Sequence, residues 1–227
     1  MLYEITMKAY SFDWDDNILH MSTMVNMDKK EGDRWVPVKL TTGEYAELKD
    51  NEDYRYPDNN IRAAFTDFDD DNLFIENVAE SIRNKNFAPS FDDFKEALLG
   101  GKTMSIITAR PQSPDTLKKG VKMIIDDYFT EEERNTMVEN IKDNYDFTGE
   151  TEEIIQKYIE ANYYYPVSFK QRDVDIKKEK GVALDDFVKR TIEAFELMDK
   201  EKYNKIAIGF SDDDLENVQE VVKKIKE

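Results

Sequence analysis

The chain has 227 residues, 50 acidic against 32 basic side chains, a net charge of −18, no cysteine and a single histidine. Disulfides, thiolate chemistry and zinc–cysteine sites are excluded, and a Ser-His-Asp triad would rest wholly on His20. So acidic a balance also argues against sequence-independent nucleic-acid binding, although a local basic site is compatible with it.

Apolar residues make up 40% of the chain, enough for a sizeable core, and Gly and Pro are too few for a collagen-like or linker-dominated chain. No apolar run approaches the roughly 18 residues of a membrane span, and the opening residues lack a signal-peptide core. A soluble cytoplasmic protein with no membrane partner is expected; oligomeric state is not legible.

The first strand is expected at Ala9 to Phe12, ending at Asp13. Two β-prone stretches, Met24 to Met27 and Trp35 to Leu40, flank Lys30-Glu31-Gly32-Asp33 and read as a hairpin. Asn51 to Asp71 is polar and irregular, and Asn72 to Ile82 reads as a short helix. Ser90, with Asp93 three residues on, is expected to cap a helix with the stripe Phe91, Phe94, Ala97 and Leu98, ended by Gly100-Gly101.

The second strand is expected at Met104 to Ile107, ending at Thr108. Ser113-Pro114 opens a helix carrying Leu117, Val121, Ile124 and Ile125, and Thr130 with Glu133 forms a second capping box. Tyr163 to Phe169 reads as a third strand, placed at an edge or a strand start by Pro166. Leu184, Phe187, Val188, Ile192 and Phe195 make a helical stripe. Ile206 to Phe210 is the fourth strand, and Leu215, Val218, Val222 and Ile225 mark a last helix. The second and fourth strands are unbroken apolar runs, as in strands buried on both faces.

This order implies an α/β fold, a Rossmann-like parallel sheet with helices on both faces. The core is expected from residues 1–20 and 90–227, with a helical elaboration over about 112–162. Residues 21–89 read as a cap-type insertion carrying the hairpin, because so long a connection inside a compact domain is usually functional.

Asp is common enough here that a bare Asp-x-Asp triplet carries no information, so position must discriminate. Asp13-Trp14-Asp15 and Asp212-Asp213-Asp214 both follow strand ends, Thr108 ends a third, and ligands of open α/β sheets bind at that rim. The plainer reading, caps and solvated turns, fits Asp214 best and Asp13 least, since acids leaving an apolar strand are costly without a partner. The acidic run Asp67 to Glu76 is no EF-hand: Asn72 and Val78 stand where Gly and Glu are needed, and from Asp13 those places hold Ile18 and Met24. His20 reads as incidental and Tyr163-Tyr164-Tyr165 as packing.

Tyr10-Ser11-Phe12-Asp13-Trp14-Asp15-Asp16-Asn17 resembles motif I of the haloacid dehalogenase-like (HAD) superfamily, Ile106-Ile107-Thr108-Ala109-Arg110 its motif II, and Ile206 to Asp213 its motif IV. Lys180-Gly181-Val182-Ala183-Leu184 resembles the Lys-x-x-x-Leu form of motif III, with Lys177 and Lys178 as alternatives. Asp16 and Asn17 stand where the usual motif I has Gly and Thr, and Gly-Phe-Ser precedes the motif IV acids.

The resemblance implies a Mg2+-dependent phosphohydrolase. Asp13 would be the nucleophile forming an aspartyl-phosphate, Asp15 the general acid and base, and Thr108, Arg110 and Lys180 the phosphoryl-binding groups. Asp13, the main-chain carbonyl of Asp15, and Asp212 or Asp213 would hold the metal, which takes oxygen ligands. An acid two residues after the nucleophile favours phosphate-ester cleavage over dehalogenation. The substrate would be a small phosphorylated compound, or a nucleotide or nucleic-acid end phosphate. The alternative is a catalytically weak module of the same fold that binds Mg2+ and phosphate in regulation, with a phosphotransferase behind it.

Overall fold

The structure is a computed structural model and describes residues 6–168, 175–197 and 203–213. Four parallel strands form the central sheet: β1 (Thr6–Phe12), β5 (Thr103–Thr108), β6 (Tyr163–Pro166) and β7 (Lys205–Ser211), in the order β6-β5-β1-β7. Three more, β2 (Val25–Glu31), β3 (Arg34–Leu40) and β4 (Tyr54–Arg55), form a separate antiparallel sheet, ordered β3-β2-β4. The helices are α1 (Thr42–Leu48), α2 (Ile61–Ala64), α3 (Asp71–Asn84), α4 (Phe91–Leu99), α5 (Pro114–Tyr128), α6 (Glu131–Tyr145), α7 (Thr151–Ala161) and α8 (Ile176–Leu197), with short 3-10 turns at 57–59 and 66–69. The fold is α/β with a Rossmann-like parallel sheet flanked by helices. Among the described residues no helix is long and apolar enough to cross a membrane.

Each face of the parallel sheet buries a different cluster. Phe12, Met104, Ile106 and Tyr164 pack with α3 to α7 on one face. Ala9 and Ile107 meet Ala183, Leu184 and Phe187 of α8 on the other. The segment Gln112 to Asn162 therefore builds the main core, since Leu117, Val121, Ile124, Ile141 and Ile154 are all fully buried there. The small sheet closes a third cluster around Val25, Met27, Leu40, Ala64 and Phe68. That cluster lies within residues 25–69, whereas Phe74, Val78 and Ile82 of α3 join the main core.

Local rules account for most elements. β2 and β3 pair through Glu31↔Arg34 around Gly32-Asp33, where Gly32 takes φ +61°. Thr130 and Glu133 form both bonds of their capping box, and Ser113 caps α5 ahead of Pro114. Pro166 ends β6 at a sheet edge, where a missing N–H does no harm.

Three expectations fail. Ser90 does not cap α4; its hydroxyl lies 2.5 Å from Ser211 Oγ, so a tertiary partner outcompetes the helix. β7 is not buried on both faces; it is an edge strand among the described residues and its side chains are half-buried or exposed. In α8, Ile192 is exposed while Lys180 is buried, the reverse of the polarity pattern. Phe169, Lys170, Arg172, Asp214 and the last expected helix lie outside the described residues.

Gly101 sets the tight turn into β5. It has φ +55°, and a Cβ there would come within 2.9 Å of the Ile141 backbone nitrogen. Gly101→Ala combines left-handed strain with a backbone clash and should cost about 2 kcal/mol or more, read as a lowered urea midpoint at unchanged slope. An unchanged midpoint would contradict this packing.

Candidate functional site

The parallel register brings the strand ends level. Phe12 pairs with Ser211 on one side and Ile106 on the other, so Asp13 and Asp212 leave adjacent strands side by side at the carboxyl edge. The Asp13 N–H continues the ladder by donating to the Ser211 carbonyl at 3.0 Å. Its carboxylate accepts the Trp14 N–H at 2.7 Å through Oδ1 and Lys180 Nζ at 2.7 Å through Oδ2. Lys180 donates also to Asp212 Oδ2 at 3.0 Å. Asp13 is 6% and Lys180 7% exposed, whereas Lys177 and Lys178 face solvent on the same helix. Of these three lysines, it is Lys180 that reaches the rim.

Burial dominates the electrostatics. It pushes the Asp13 carboxyl up to about 7, aided by Asp212 and Asp15 and opposed by the Lys180 charge. Burial by itself would lower Lys180, but Asp13 and Asp212 outweigh it and hold the ammonium above the ordinary lysine range. Asp213 is raised to about 6, first by burial and then by Asp212.

The turn after β1 accommodates both departures from the resembled motif. Asp16 takes φ +52°, the left-handed conformation for which Gly is the default and which Asp tolerates. Its carboxylate accepts the Thr42 hydroxyl, at the start of α1, and lies 2.6 Å from His20 Nδ1. Asn17 donates to Ser211 Oγ at 2.9 Å, tying the turn to β7. His20 is therefore a ligand of the turn and sits exposed.

A second group forms beside the first. Arg110 Nε and Nη2 grip Asp15 Oδ2 and Oδ1, each at 2.7 Å, in a bidentate pair. Arg110 is 2% exposed and stacks over Phe68 and Phe74. Thr108 ends β5, fully buried, and its hydroxyl accepts the Arg110 N–H at 3.3 Å. Sequence reasoning placed Arg110 on substrate; in the structure its fork is on Asp15. Thr23 and Asn77 went unnoticed, because nothing in their local sequence sets them apart.

Asp13, Asp212 and Asp213 each offer a carboxylate oxygen within 4.8 Å of the others, the hard-oxygen set a Mg2+ ion takes. The Asp15 carboxylate is on Arg110, so Asp15 could join such a site only through its main-chain carbonyl. Fully ionised, the three carboxylates would exceed the one ammonium of Lys180 by two negative charges, which a divalent cation would neutralise.

Comparison with known proteins returns no significant match, whether to a family model, a curated protein or a solved structure.

Millimolar Mg2+ should therefore raise the melting temperature, through ligand bonds and through relief of repulsion. The rise should shrink in Asp213→Ala, whose carboxylate is one of the three. Equal shifts in the parent and this variant, read by scanning fluorimetry, would count against metal binding here.

Proposed function

We propose that the chain is a Mg2+-dependent phosphohydrolase of HAD type that cleaves a phosphate monoester in two steps. The observation that carries this is the buried constellation Asp13–Lys180–Asp212, with Asp213 beside it, at the carboxyl edge of a parallel sheet. A carboxylate at a strand end, a lysine beside it and a cation-ready set of oxygens are what phosphoryl transfer through a carboxylate needs.

In the first step an Asp13 oxygen attacks phosphorus and the bond to the leaving oxygen breaks. Asp15 delivers a proton to that oxygen. In the second, water attacks the aspartyl-phosphate, gives its proton to Asp15 and releases phosphate, which restores the Asp13 carboxylate. Lys180 supplies a fixed positive charge to the transferring group, and Thr108 a neutral hydroxyl. A bound Mg2+, held by Asp13, Asp212 or Asp213 and the Asp15 carbonyl, would screen the approach of a phosphate dianion to these acids. As an acid, Asp15 would carry its proton on one oxygen while the other stays with Arg110, which keeps the group in place.

The small sheet over residues 25–69 acts as the cap. It is joined to the turn at Asp16 through Thr42 and sets which alcohol or nucleotide moiety is admitted. The substrate is a small phosphorylated compound or a nucleotide or nucleic-acid end phosphate, and the working compartment is the cytoplasm. One observation favours the weaker alternative, a Mg2+- and phosphate-binding module: Asp13 and Asp15 are both already engaged by cations.

Turnover of p-nitrophenyl phosphate with Mg2+, abolished by EDTA, separates the two. Asp13→Asn should lower the rate by at least about 10³-fold while leaving the fold intact, because it removes the nucleophile. Lys180→Ala should cost roughly 2–4 kcal/mol of transition-state stabilisation, as expected for one charged contact in a desolvated site. Phosphate binding with no turnover would leave the regulatory reading; retained activity in Asp13→Asn would remove Asp13 as nucleophile.

A further inference from the structure

The Asp15–Arg110 pair is the end of a longer buried chain. Arg110 Nη2, besides gripping Asp15, donates to Thr23 Oγ1 at 3.1 Å. Thr23 Oγ1 also accepts Asn77 Nδ2 at 2.8 Å, and Asn77 Oδ1 accepts the Ser22 hydroxyl at 2.9 Å. Thr23 is 2% and Asn77 6% exposed. Ser22 and Thr23 lie in the connection from the motif turn to β2, and Asn77 lies on α3, which follows the small sheet. Both connections to residues 25–69 are thus tied through Arg110 to one carboxylate.

Beyond Asp15 and Thr23, no hydrogen bond fixes the Arg110 guanidinium. Its Nη1 has no hydrogen-bond partner, and the Phe68 and Phe74 rings beside it are non-directional contacts. Slack in Arg110 would let the Asp15 carboxylate drift. One direction it could take is toward Asp13, which already feels its charge.

We infer that Thr23 and Asn77 are positioning residues for the general acid: they lock Arg110 so that its fork holds Asp15 on the side of the small sheet and away from the Asp13–Asp212–Asp213 oxygens. The inference rests on the phosphohydrolase reading and adds that the leaving group lies beneath the small sheet. Neither residue touches substrate. Their effect passes through the placement of a proton donor, so it depends on how much the leaving group needs a proton.

The experiment compares phenyl phosphate, whose leaving group is poor, with p-nitrophenyl phosphate, whose leaving group departs with little help. The control Asp15→Asn should depress the first far more than the second. Thr23→Val keeps shape and removes the acceptor; kcat on phenyl phosphate should fall about tenfold further than on p-nitrophenyl phosphate, a small part of what a general acid contributes. Thr23→Ser, which keeps the hydroxyl, should restore the ratio. If Thr23→Val does not fold, Asn77→Ser carries the same test by withdrawing the donor from Thr23. Equal losses on both substrates, or none, would overturn the inference while leaving the phosphatase reading standing. A parent protein that turns over neither substrate with Mg2+, or an Asp15→Asn variant with an unchanged ratio, would overturn both the role of Asp15 and the inference.

Discussion

One ammonium group, Lys180 Nζ, holds carboxylates from two neighbouring strands, and the site is arranged around it. Burying a lysine with two acids carries a desolvation penalty of several kcal/mol per ion, recovered only with short contacts and satisfied oxygens. The fold provides both. Asp13 is held by the Trp14 N–H as well as by the lysine, and Lys180 lies at 2.7 and 3.0 Å from its two partners. Small residues make the approach possible. Ala9 and Ser11 share the face of β1 turned to α8, Ser105 shares that of Ile107 on β5, and Gly181 follows the lysine itself.

The second constraint is the separation of like charges. Five acids gather near one sheet edge, and the structure distributes them over several partners. Asp13 and Asp212 share Lys180, Asp15 goes to Arg110, and Asp16 goes to Thr42 and His20. Asp213 keeps part of its surface in solvent, and its carboxyl is displaced upward by partial desolvation and by Asp212. The acid proposed as nucleophile and the acid proposed as proton donor thus sit in distinct environments, which is how one rim can assign two roles to chemically identical groups.

Much of this was legible in the sequence wherever a rule is local. The hairpin at Gly32, the cap at Thr130 and the strand ends at Asp13 and Thr108 follow from turn chemistry and apolar runs within a few residues. Lys180 could be narrowed to three candidates because cations cluster in the first turns of α8, and helix phase then buries one and exposes two. The failures are long-range. Ser90 gave up its cap for Ser211, 121 residues away. The Arg110–Asp15 pair spans 95 residues and is likewise invisible to any local rule. Ile192 on α8 is exposed although the periodicity placed it inside, because apolar spacing marks a face and not what covers it. Asp16 in the left-handed turn is the opposite case: a departure from a motif that preserves its backbone geometry.

The central claim, that Asp13 becomes covalently phosphorylated, is tested most directly by trapping. The protein would be mixed with p-nitrophenyl phosphate and Mg2+, quenched in acid within the first turnovers, and examined by intact-mass and peptide mass spectrometry. The account predicts one added phosphoryl group, mapped to the peptide containing Asp13 and lost after treatment with hydroxylamine. Steady turnover with no adduct at any quench time, or an adduct on a peptide without Asp13, would contradict it.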